Sequence, residues 1–246
     1  MHLSLVLSSL PLDFRAALRQ AVSLGFTHVD VVALADRPEA HREALADSGL
    51  LVSGAAVGKE LPAGHTPDAG SVEVRRSALV EMKRQVAEAA RLGATCGYLT
   101  PGPDSSERGL AYFTESCTLL ADYAARRMVR LCIEPLPGSA LASIPAAAEW
   151  LDRVACHSLG LRVDVGCCLG GGEDPAEAVL RAGERLGNVR LSDNLTAEVL
   201  ERTLNALRQI QFDGDLSLEA DPRHSDPGEW LRRGKAQLEV LLRNQS

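Results

Sequence analysis

The chain has no apolar stretch approaching the roughly 20 residues that cross a bilayer, and no linker, low-complexity segment or short-period repeat. A membrane span and a disordered majority are therefore not expected. It also lacks an excess of positive charge. With 26 Lys and Arg against 33 Asp and Glu, a net charge of −7 and a pI near 5.4, it has no basic footprint of the kind a phosphate-backbone binder carries. No nucleic-acid partner is expected, and a small-molecule substrate is the better expectation. The six cysteines (Cys96, Cys117, Cys132, Cys156, Cys167 and Cys168) include no CxxC pair. The run from Leu3 to Leu10 has neither a basic flank nor a clear small-residue cleavage site, so the sequence reads as a reduced, cytoplasmic protein.

What the chain does have is enough apolar material for one large core: 46% hydrophobic against 24% charged residues over 246 positions, with 1–246 read as a single domain. Extended apolar runs recur at 2–9, 26–34, 50–57, 94–100, 129–135, 159–166, 188–193 and 215–220. Helical patterns separate them at 12–24, 37–48, 71–92, 107–127, 145–156, 175–187, 196–210 and 227–243. Asp174-Pro-Ala-Glu177 orders an N-cap carboxylate, a first-turn proline and a third-position glutamate, and Asp104-x-x-Glu107 resembles a capping box. Strict β/α alternation over eight units predicts a parallel sheet closed into a (β/α)8 TIM barrel, with a doubly wound open sheet as the alternative.

The late strands are unusual. Leu131-Cys-Ile-Glu134, Leu161-Arg-Val-Asp164, Val189-Arg-Leu-Ser192 and Leu216-Ser-Leu-Glu219 alternate apolar with polar residues. Strands covered on both faces usually read as unbroken apolar runs, so the alternation points to a shared polar centre inside the barrel. Glu134, Asp164 and Glu219 fall at C-terminal strand ends, where barrel active sites are built. Three carboxylates in one dry pocket must share a cation, bind protons at raised pKa, or pair with bases. A hard divalent ion, magnesium or manganese, fits the first option; Arg162 and Arg190, of inward parity, offer the third.

These segments resemble the xylose isomerase-like TIM barrels, the family of sugar and sugar-phosphate isomerases and epimerases that also includes family 2 AP endonucleases. The resemblance covers nearly the whole chain. It is clearest in the helix from Ala78 to Ala94, in Arg130-Leu-Cys-Ile-Glu-Pro135, in Leu161-Arg-Val-Asp-Val-Gly-Cys167, in Asn188-Val-Arg-Leu-Ser-Asp-Asn194 and in Phe212-Asp-Gly-Asp-Leu-Ser-Leu-Glu219. In the epimerase branch the positions matching Glu134, Asp164, Arg190 and Glu219 carry Glu, Asp, His and Glu and bind one divalent metal. The resemblance thus implies a metal (Mn or Mg, with Zn admitted) on Glu134, Asp164 and Glu219. It also implies a catalytic role for Glu134 and Glu219, which move a proton next to a carbonyl of a small sugar, sugar phosphate or hydroxy-keto acid. The family often forms homodimers. An endonuclease of this family would need a histidine-rich three-metal cluster, and no histidine lies on the fifth, seventh or eighth predicted strand.

Two departures stand out. Arg190 takes the place of the metal-binding histidine, and a guanidinium has no lone pair to offer. Cys167 stands where the family usually has a second histidine. Two readings follow. In one, the three carboxylates keep a metal and Arg190 clamps an anionic group of the substrate. In the other, Arg190 and Arg162 fill the metal's place, and the protein is a metal-free, non-catalytic barrel that binds an anionic metabolite. Further substrate-contact candidates are Cys167, Arg162, Ser192 and Asp193, together with Lys59 after the third strand and His224 after the last. For Lys59 and His224 a solvated loop position is the simpler reading, as a flexible turn is for Gly170-Gly-Gly172. Adjacent strand positions would place Cys167 in the pocket and Cys168 in the core. His28 is expected to be structural, and Trp150 and Trp230 to pack their helices on the barrel.

Overall fold

The computed structural model describes residues 1–192, 195–221 and 226–243. Eight parallel strands close in sequence order: β1 (His2–Val6), β2 (His28–Val32), β3 (Leu51–Ala56), β4 (Cys96–Leu99), β5 (Arg130–Ile133), β6 (Leu159–Asp164), β7 (Leu186–Leu191) and β8 (Asp215–Leu218), with β8 pairing back onto β1. Around them run α1 (Phe14–Ser23), α2 (Glu39–Ser48), α3 (Val72–Arg91), α4 (Glu107–Ala125), α5 (Ile144–Val154), the short α6 (Val165–Gly170), α7 (Pro175–Ala182), α8 (Ala197–Gln209) and α9 (Pro227–Arg243). Closure settles the fold as the barrel rather than the open sheet. Among the described residues no helix is long and apolar enough to cross a membrane.

Period-two alternation divides the strands between two environments. Outward residues such as Val29, Leu131, Ile133, Leu161, Val163, Val189 and Leu216 join Leu18, Met82, Phe113 and Trp150 of the helices in the main apolar core. The interior is different. Ala56, Cys96, Tyr98 and Cys132 form a small apolar cluster, and beside it Ser4, Asp30, Ser53, Arg162, Asn188 and Ser217 are all buried. The barrel centre is therefore polar along much of its depth.

One irregularity sets the register of the site. Along the β6–β7 pair Leu161 faces Leu186 but Arg162 faces Asn188, so Gly187 is an extra residue on β7. That bulge brings Asp164 directly opposite Arg190; without it Asp164 would face Val189, whose side chain points outward. A Cβ on Gly187 would lie 2.4 Å from the Cys132 sulfur, so the bulge requires glycine for space.

Three sequence-based boundaries shift. The α4 cap is Ser106, whose hydroxyl accepts from the Gly109 N–H at 3.0 Å, while Asp104 accepts the Ser106 N–H at 3.0 Å: the cap lies two residues later than the spacing suggested, and with glycine at its third position it is not a capping box. The helix expected over 175–187 stops at Ala182, because Gly183 adopts φ 51°, and β7 starts early at Leu186. Past Asp164 the chain turns helical instead of continuing as a strand. The Asp164 carboxylate accepts the Cys167 N–H at 3.0 Å and so caps α6. Cys167 is accordingly half-buried and Cys168 buried by helical position, not by strand alternation.

Candidate active site

At the C-terminal mouth the Arg190 guanidinium lies among three carboxylates. Its Nε donates to Asp164 Oδ2 at 2.6 Å, and its Nη2 donates to the same oxygen. Nη2 also stands 3.4 Å from Glu134 Oε1, and Nη1 pairs with Glu219 Oε2 at 2.8 Å. Burial alone would lower the pKa of Arg190, but Glu134, Asp164 and Glu219 outweigh it and hold the charge more firmly than usual. The same contact acts in reverse on Asp164: burial opposes its ionisation, yet Arg190 and the Cys167 N–H keep its carboxyl below the ordinary range.

A second guanidinium lies one layer deeper. Arg162 is completely buried, pairing through Nη2 with Asp30 Oδ2 at 3.0 Å and through Nη1 with Glu134 Oε1 at 3.3 Å. Its Nε donates to Asn188 Oδ1 at 2.9 Å, and its plane lies 3.5 Å over the Tyr98 ring. Tyr98 in turn donates its hydroxyl to Asp30 Oδ1 at 2.8 Å. Gly54 opposite leaves room for the Asp30 carboxylate, since a Cβ there would lie 3.0 Å from Oδ2. Burial pushes the Asp30 carboxyl up, against the pull of Arg162 and Tyr98. Glu134 Oε1 thus lies between two guanidinium groups, while Oε2 accepts from Thr100 at 3.5 Å.

Exposure rises along this stack from Arg162 at 0% through Glu134 at 5% and Arg190 at 13% to Glu219 at 27%. Glu219 is the most open carboxylate of the four, and burial still raises its pKa against the attraction of Arg190. Four carboxylates face two guanidinium groups, so the cluster carries two surplus negative charges if every acid is ionised.

The sequence-derived candidates divide accordingly. Glu134, Asp164, Arg190 and Glu219 come together at the mouth. Arg162 is sealed beneath them and offers no surface to a ligand. Cys167 is half-buried beside Asp164, its thiol pushed up to about 12 first by burial and then by that carboxylate, so it remains protonated. Ser192 closes on the same corner: a Cβ on Gly166 would fall 2.0 Å from its hydroxyl oxygen. Lys59 is exposed, with no ion pair among the described residues, and Asp193 and His224 lie outside those residues. Sequence reasoning passed over Asp30, Tyr98 and Asn188. The signal for Asp30 lies in His28-Val-Asp30-Val-Val, where an acid holds an inward position in mid-strand, away from the strand ends that mark barrel active sites.

A family model of the xylose isomerase-like TIM barrel matches residues 18–241. The chain belongs to the xylose isomerase-like TIM-barrel family. Solved structures superpose over nearly its full length. A D-psicose 3-epimerase crystallised in the presence of D-fructose has a TM-score of 0.84 at 17% identity, covering 98% of this chain and 99% of that one. A 3-keto-D-glucoside 4-epimerase from E. coli gives 0.82 at 18%, with coverage of 98% and 99%. An L-ribulose 3-epimerase gives 0.84 at 16%, with coverage of 99% and 95%. At these identities the likeness is one of fold. No curated protein shows significant sequence similarity to the chain.

Family membership raises the question of the divalent ion, and the residues here do not fit one. The space between Glu134, Asp164 and Glu219 holds the Arg190 guanidinium, with a nitrogen 2.8 Å from Glu219 and two nitrogens on Asp164. Among the described residues no group of three or more His, Cys, Asp or Glu side chains is arranged to hold a metal.

Proposed function

We propose that this xylose isomerase-like barrel is an isomerase or epimerase that moves a proton next to the carbonyl of a small, uncharged sugar. Glu219 carries this reading: it is the most exposed acid of the cluster, stands at the mouth, and pairs with the Arg190 guanidinium at 2.8 Å. A carboxylate there removes a proton from the carbon beside the carbonyl. The C–H electron pair becomes the C=C bond of an enediolate, and the carbonyl oxygen takes the negative charge. Arg190 is the N–H donor for that oxygen, a cation held in place by its carboxylate partners. In isomerisation the proton returns to the former carbonyl carbon while the hydroxyl proton of the first carbon passes to the former carbonyl oxygen, so that the carbonyl moves across; in epimerisation the proton returns to the same carbon on the opposite face. Glu134, at the adjacent guanidinium nitrogen, is the second carboxylate for that return. Burial lifts Glu219 above its usual range, which brings it closer to the matched pKa that general acid–base catalysis favours.

Charge favours a neutral substrate. With its acids ionised, the cluster of four carboxylates and two guanidinium groups would repel a sugar phosphate, a hydroxy-keto acid or any other anionic metabolite. A neutral ketose, of the kind named for the structural neighbours, meets no such repulsion. Proton NMR in deuterium oxide on a panel of ketohexoses and ketopentoses tests the reading. Deuterium should appear at the carbon beside the carbonyl with at least one sugar, and the rate should fall by about a thousand-fold in Glu219→Gln, within the range typical of an acid–base group. Exchange that is equally fast in the variant would remove Glu219 from the mechanism.

A further inference from the structure

We infer that this chain has exchanged a divalent ion for an internal one: Arg190 is the resident cation of the mouth, and Glu134, Asp164 and Glu219 form a guanidinium cage with no affinity for a metal. The inference concerns what the site holds, and it stands whether or not a sugar is turned over.

Three observations carry it. The guanidinium reaches all three acids at once, at 2.6 Å from Asp164, 2.8 Å from Glu219 and 3.4 Å from Glu134, which is what an ion at that point would have to do. The cation cannot leave by losing its proton, because arginine stays charged in proteins. Nor is the arrangement an accident of one flexible side chain. The bulge at Gly187 sets Arg190 opposite Asp164, and the buried Arg162 below holds Glu134 Oε1 from the other side at 3.3 Å. A metal entering the cage would have to displace a guanidinium while Arg162 remained as a second positive neighbour of the same glutamate.

Manganese is the probe, read by the electron paramagnetic resonance of free ion and by calorimetry. The wild-type chain should show no stoichiometric binding at millimolar manganese. Arg190→His removes the resident cation and restores an imidazole, and it should bind one manganese at least a hundred-fold more tightly. Arg190→Met, which only empties the cage, should fall between the two. Stoichiometric micromolar binding by the wild type would overturn the inference. So would a folded Arg190→His with unchanged affinity, since Arg190 would then not be what excludes the ion. If both variants fail to fold, the wild-type titration alone still decides the matter. None of these outcomes depends on a sugar being found, so they separate this inference from the proposed activity.

Discussion

Replacing Arg162 by methionine removes the deepest positive charge in the barrel while keeping most of its volume. Arg162 is completely buried and serves Asp30 at 3.0 Å, Glu134 at 3.3 Å, Asn188 at 2.9 Å and the Tyr98 ring at 3.5 Å. Breaking a buried pair by deleting one partner costs about 3–5 kcal/mol, because the remaining charge is left uncompensated. The lost stacking on Tyr98, worth about 2 kcal/mol when desolvated, overlaps with that figure, so about 4 kcal/mol is expected in total. For a domain of this size that corresponds to a fall in Tm of about 8–16 °C by differential scanning calorimetry. The loss should also depend on pH. Burial already raises the Asp30 carboxyl, and without Arg162 it binds its proton still more tightly in the folded than in the unfolded chain, so folded stability declines as pH rises through that window. The deficit should therefore be larger at about pH 8 than at about pH 5, and Asp30→Asn in the same chain should recover part of it. A Tm change below about 3 °C, with no pH dependence, would refute the claim that Arg162 neutralises this centre.

Two further outcomes follow from the same geometry. Gly187→Ala should lower stability by about 1–3 kcal/mol through overpacking, because its Cβ would fall 2.4 Å from the Cys132 sulfur; Cys132→Ala should relieve most of the loss, and an unrelieved loss in thermal denaturation would place the strain elsewhere. In the pH profile of deuterium exchange, the acidic limb should lie above the ordinary 4.5 of a glutamate, since burial raises Glu219 and only its ionised form accepts the proton; a limb at or below that value would contradict the assignment.

The β/α alternation over eight units was enough to read a barrel, and the alternation of polar and apolar residues in β5 to β8 its polar centre, because parity is local and the strand ends of a closed barrel converge by geometry. The four mouth residues were legible for the same reason. Two kinds of feature were not. The one-residue bulge at Gly187, which sets Asp164 against Arg190, leaves no mark beyond a glycine that the sequence pattern places at the end of the helix expected over 175–187. Asp30 and Tyr98 sit in mid-strand, and their importance arises only when β2, β4 and β6 meet across the interior around Arg162. That long-range pairing also alters the charge count: with Asp30 included, the centre is more acidic than the three carboxylates and two arginines visible in the motifs, and this surplus argues for a neutral ligand.

The most direct test of the whole account is the rate of solvent-deuterium incorporation into a responsive ketose by protein stripped with a strong chelator and assayed with the chelator present. The account requires the stripped wild-type chain to exchange at the same rate as untreated protein, and Glu219→Gln to lose that exchange. A rate abolished by the chelator and restored by manganese would contradict it, and would return the three carboxylates to the role of metal ligands.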